Sequence, residues 1–161
     1  MGQPNYKKYL SKLIDAELIA LRDLVEAELN KRGISFNVGL IGEQLVINHF
    51  NSTPGLPNLL QAPTGAKNVD ALSREGDRYF IKTFLKARKN GTIYPDGGNS
   101  EKQLFEYLVV AQLNTEYQLN ALYRYNWGNF LKVRAWDKRM NACYVPLSRG
   151  KLKEAEVVYQ K

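Results

Sequence analysis

The sequence predicts an α/β fold, a mixed β-sheet core flanked by helices, on three observations. Two N-terminal stretches repeat their apolar residues with the period of a helix. "NVDALSREGDRYFIKT" (68–83) places two strand-like runs around a turn, and "FEYLVVAQL" (105–113) is apolar enough for a central strand. A chain of 161 residues with 44% hydrophobic content can bury one ordinary core and is short for two. Residues 1–161 are therefore expected to form a single domain, with 1–33 as an N-terminal helix.

Within residues 8–32, Leu10, Ile14, Leu18, Leu21, Val25 and Leu29 recur at spacings of three and four, and Gly33 follows as a natural C′ residue. This helix is expected to face the core; its other use would be as a dimerisation element. "FNVGLIGEQLVINHF" (36–50) is a second helix, carrying Glu43 and ended by the turn formers "NSTPGLP". "NLLQAP" (58–63) reads as a short strand. In the hairpin, a loop of Glu75, Gly76 and Asp77 would pair position i with 152 minus i, setting Asp70 opposite Lys82 and Leu72 opposite Phe80. "FLKARKNGTIYPDGGNSEKQ" (84–103) reads as a mobile basic loop, and two apolar strands surround a turn at "NTEY" (114–117). "WGNFLKVRAW" (127–136) is expected to be a short helix with Phe130, Val133 and Trp136 on one side. "NACYVPL" (141–147) then reads as a strand, and "SRGKLKEAEVV" (148–158) as a terminal helix capped by Ser148.

Composition narrows the chemistry. One cysteine, Cys143, and one histidine, His49, exclude an internal disulfide and the usual zinc ligand sets. They also argue against nucleophilic systems built on histidine, and His49 reads as an aromatic-flanked residue near a helix end. A net charge of +7 favours a polyanionic partner. No apolar run is long enough to span a bilayer and "MGQPNYKKYL" lacks a signal-peptide core, so no membrane association and a cytoplasmic location are expected.

The order of a helix with Glu43, a strand with Asp70 in "NVDAL", a strand with Lys82 in "RYFIKT", and the strand "FEYLVVAQL" resembles the PD-(D/E)xK nucleases, the restriction-endonuclease-like superfamily. The resemblance covers most of the chain from residue 38 onward. It implies a restriction-endonuclease-like fold and a magnesium-dependent DNA endonuclease in which manganese can substitute. Asp70 and Glu43 would be the metal ligands and, with Lys82, the catalytic residues. Phe80 stands where the family has its second acid. Family members carry glutamine there or recruit an acid from another element; Glu43 is the first candidate here, ahead of Glu75 and Asp77.

These residue types suit the chemistry, because magnesium prefers carboxylate, carbonyl and water ligands, and a lysine can offset charge on the attacked phosphorus. The plain alternative is a cross-strand ion pair between Asp70 and Lys82, worth about 0.2–1 kcal/mol. Lys86, Arg88, Lys89 and Tyr94 are candidates for contacting double-stranded DNA, or else ordinary loop residues. Lys132, Arg134, Lys138 and Arg139 form a second basic group, read as solvated surface. The competing function is a DNA-binding subunit or module with a degenerate, inactive nuclease centre, with a second copy or a second restriction subunit as partner. An RNA-processing protein of the same fold would carry the same phosphate contacts.

Overall fold

The computed structural model describes residues 4–34, 37–86, 89 and 91–161. They fall into two compact units, Met1–Asn37 and Val38–Lys161. Among the described residues no helix is long and apolar enough to cross a membrane.

In the first unit the single helix expected over 8–32 is two, α1 (Tyr6–Leu10) and α2 (Asp15–Lys31). Asn5 caps α1 by accepting from the Lys8 N–H at 3.0 Å. The break falls at Ile14, whose extended backbone starts α2 and whose N–H donates to the Glu17 carboxylate at 3.0 Å. A glutamate at the third helical position thus takes one of the amides that a helix N-terminus leaves unpaired. Gly33 closes α2 in the left-handed conformation, with the Ile34 N–H donating to the Leu29 carbonyl at 2.8 Å and its own to Asn30 at 3.0 Å. That is the Schellman arrangement expected of a C′ glycine. Within this unit Ile14, Leu18 and Val25 are exposed and neither helix has a buried residue, so the two helices form no core of their own.

The second unit opens with α3 (Val38–Ser52) and continues through β1 (Leu59–Gln61), β2 (Ala71–Ser73), β3 (Arg78–Phe84), β4 (Tyr107–Leu113) and β5 (Leu119–Asn126). After these come α4 (Trp127–Val133), β6 (Ala135–Asp137), β7 (Ala142–Tyr144), α5 (Arg149–Leu152) and β8 (Glu156–Gln160). Six strands form one mixed sheet in the order β1-β2-β3-β4-β5-β8, and β6 pairs with β7 separately. Only the β3–β4 pairing is parallel within the six-stranded sheet.

The two central strands are buried on both faces, which is why their sequences are nearly continuous apolar runs. Tyr79 and Ile81 of β3, with Val109 and Ala111 of β4, join Val46, Ile47 and Phe50 of α3 in one cluster. Phe80 and Phe84, with Leu108 and Val110, join Phe105, Phe130 and Val133 in the other. Phe130 and Val133 thus face the core from α4 as expected, whereas Trp136 belongs to β6 and is exposed.

Two expectations are corrected in this unit. The terminal helix is a single turn, α5, and "EVVYQ" is instead the edge strand β8, paired with β5. Its consecutive valines and tyrosine, residue types that favour strands, suit β structure once β5 offers a partner. Part of the stretch read as a mobile basic loop is tied down: Ile93 is buried and exchanges backbone hydrogen bonds with Cys143 at 2.7 and 2.9 Å. Arg134, read as solvated, reaches across to donate to the Ser100 carbonyl and the Glu101 carboxylate, both at 2.6 Å.

Candidate functional site

The hairpin loop is Arg74, Glu75 and Gly76, closed by the Ser73 N–H donating to the Asp77 carbonyl at 3.0 Å. Gly76 has a φ of 89°, the left-handed conformation that ends a three-residue hairpin loop. The expected loop was one residue too late, so the true register pairs Leu72 with Arg78 and Ala71 with Tyr79. Phe80 is therefore not the partner of Leu72, and Lys82 lies beyond the paired part of β2.

Asp70 immediately precedes β2, at the end of its pairing with β3. Tyr79 is the partner of Ala71, yet its carbonyl accepts from the Asp70 N–H at 2.8 Å. Two residues thus face one, as in a β-bulge, an irregularity that re-aims a side chain. The Asp70 carbonyl accepts from the Ala62 N–H at 2.8 Å, and its carboxylate Oδ2 accepts from the Ile81 N–H at 2.7 Å. The side chain takes over the ladder bond that the departing backbone gives up, which fixes it against β3.

Lys82 shares the face of β3 that carries Arg78, Phe80 and Phe84, because side chains alternate with period two. Its Nζ lies 4.2 Å from the centre of the Phe80 ring. Phe80 itself is 9% exposed and packs against Phe105 at a ring separation of 5.8 Å. The position where the resemblance expects an acid is thus filled by a core aromatic whose face holds the lysine.

Glu43 comes from α3. Its neighbour Gly42 lies so close to β3 that a Cβ there would overlap Thr83 Oγ1. This close approach, not visible in the helical periodicity, seats Glu43 beside the other two charges. Burial and the negative charge of Asp70 push the Glu43 carboxyl up to about 7, against the opposing pull of Lys82. Burial also raises Asp70, opposed by the Ile81 hydrogen bond and by Lys82. Lys82 is lowered by burial, with Asp70 and Glu43 both acting against the shift.

The three residues predicted as catalytic are therefore brought within electrostatic reach of one another. Among the described residues no ion pair joins Lys82 to either carboxylate, so the simple cross-strand pair is not what forms. Glu75 and Asp77 stay at the hairpin turn, and no cluster of three or more His, Cys, Asp or Glu residues is present among the described residues. No family model matches the chain, and no curated protein matches it.

The candidate DNA-contacting residues separate. Lys86 is exposed, and Arg88 lies outside the described residues. Lys89 is paired with Asp137 at 2.8 Å and lies 4.5 Å from the Tyr144 ring centre, so part of its charge is already matched. Tyr94 is 50% exposed and lines a cleft with Lys67, Asn68 and Arg78, residues that the sequence did not single out. His49 packs against Tyr159 of β8, with ring centres 4.9 Å apart, in keeping with a packing role.

Proposed function

We propose that the Val38–Lys161 unit is a metal-dependent DNA endonuclease of the restriction-endonuclease-like type, with Asp70, Glu43 and Lys82 as its centre. The observation that carries this reading is the pair of carboxylates, Asp70 and Glu43, both raised by burial while the nearby lysine rests on Phe80. Half-buried charges held together without mutual neutralisation weaken a fold and are characteristic of sites that bind or react. The order α3, β2, β3 and then β4 agrees with the family resemblance.

The donor set fits magnesium, which binds through one or two carboxylates and retains water and substrate phosphate as its other ligands. Asp70 and Glu43 would hold it, and manganese could replace it. Such an ion supplies charge neutralisation at the phosphate and a more acidic water. Lys82, with its proton affinity lowered, would donate a hydrogen bond to the attacked phosphate and orient the incoming water. Phe80 would act as a positioning residue, presenting its ring to the ammonium where the family has an acid.

A DNA-binding module with a degenerate centre is the second reading, and one observation favours it: the acid's place is occupied by a buried phenylalanine. Plasmid nicking in manganese by the wild type and by Asp70→Asn separates the two. Cleavage by the wild type alone supports the nuclease; DNA binding without cleavage by either protein supports the module.

A further inference from the structure

On the face of β3 that carries Lys82, a cleft of about 490 Å³ is lined by Lys67, Asn68, Arg78, Tyr94, Asp96 and Gln103 among others. Its volume is that of a small-ligand site. Arg78 is locked by its side-chain bonds to Glu106, at 2.8 and 3.0 Å, and Lys102 pairs with Asp96, so both are fixed walls rather than free charges. Lys67 is exposed and among the described residues is in no ion pair, though its charge helps lower the Asp96 carboxyl, which also lines the cleft and is held mainly by Lys102. Gln103 is oriented by donating to the Phe105 carbonyl at 3.1 Å. Tyr94 lines the cleft with half its surface open to solvent.

Asn68 ties this cleft to the catalytic centre. It holds a φ of 55°, a conformation uncommon outside glycine, and it precedes Asp70 by only two residues. Two backbone steps limit their Cα separation to roughly 7 Å, about the reach of one nucleotide step along a strand. An aromatic ring, two amides and one cation outside any ion pair among the described residues, beside the proposed nuclease centre, match the parts of a nucleotide: base face, base edge and phosphate.

We infer that this cleft takes one unpaired nucleotide of the DNA strand, its base against Tyr94 and its phosphate at Lys67, next to the phosphate that a metal ion on Asp70 and Glu43 would engage. The inference rests on the nuclease reading and narrows its substrate to DNA with a single-stranded end, gap or junction, since a base within an intact duplex has no free face to stack.

The test is fluorescence anisotropy in EDTA with a labelled single strand, a duplex with an overhang, and a blunt duplex of the same sequence. The wild type should bind the strand and the overhang at least about tenfold more tightly than the blunt duplex. Tyr94→Ala should lose roughly tenfold of that affinity, Tyr94→Phe should keep it, and Lys67→Ala should lower both affinity and its salt dependence. Strand binding that is indifferent to Tyr94→Ala, or equal affinity for the blunt duplex, overturns the cleft assignment but leaves the nuclease reading standing. Absence of binding to all three DNAs also overturns the cleft assignment, and the nuclease reading is then decided by plasmid nicking in manganese. Melting curves of the variants check that each is folded, as expected for exposed positions.

Discussion

The Lys82 ammonium nitrogen lies 4.2 Å from the centre of the Phe80 ring, on the same face of β3. An ammonium over an aromatic face is attracted by the ring quadrupole, an interaction worth about 0.5–2 kcal/mol depending on desolvation. The ring thereby does for the lysine what a carboxylate two residues earlier would do, holding its head in place, while offering no lone pair to a metal.

The first expectation concerns that ring. Phe80→Glu would set a carboxylate among Phe105, Leu108 and Phe130, and burying a charge in such surroundings should cost about 3 kcal/mol. The melting temperature should fall by roughly 6–12 °C, with no gain in magnesium affinity. Tighter magnesium binding at an unchanged melting temperature would show that the position can still serve as a ligand.

Removing the acids should act in the opposite direction. Asp70→Asn keeps an oxygen that can accept from the Ile81 N–H but discards a half-buried charge next to Glu43. It should leave the protein as stable as the wild type or slightly more so, while calorimetric titration shows magnesium binding lost. A clear drop in melting temperature would instead make Asp70 a structural residue.

The raised Glu43 carboxyl makes stability depend on pH in a defined window. An unfolded glutamate titrates near 4.5 and the folded one near 7, so between these values the native state binds the extra proton. The contribution is fully present below about 4.5 and is lost as pH rises through about 7. Melting temperatures measured from pH 4.5 to 8 should therefore fall more steeply in the wild type than in Glu43→Gln. Because a metal must displace the same proton, magnesium affinity should rise over that range. Parallel melting profiles for the two proteins would remove Glu43 from the site.

Gly42→Ala tests how Glu43 is seated. The added methyl would overlap Thr83 Oγ1, and overpacking of this kind costs typically about 1–3 kcal/mol. The helix should be displaced from β3 and magnesium affinity should fall with it, read by thermal melting and calorimetry. Wild-type values for both would mean that the contact between α3 and β3 does not position the acid.

Much of this site was legible because its residues lie on elements with strong local patterns: Glu43 on a periodic helix, Asp70 and Lys82 flanking a hairpin. What failed was geometry set at a distance. The hairpin register turned on whether Gly76 stands in the middle or at the end of its loop, a choice that depends on the twist of the flanking strands. "KLKEAEVVYQ" favours a helix at its start by propensity, and only pairing with β5 makes its second half a strand. The cleft between Asn68 and Tyr94 joins segments far apart in sequence, none of which carries a periodic pattern.

Glu43, Asp70 and Lys82 all precede residue 84, but the strand that bears Lys82 finds its parallel neighbour only in Tyr107–Leu113, beyond the long connection 85–106. Parallel pairing requires that loop to close before any ladder contact is gained, an entropic cost that slows such steps. On the ribosome, a chain that has emerged only through Lys82 therefore carries Glu43, Asp70 and Lys82 without the sheet that holds them together, and the candidate site forms only after β4 has been made.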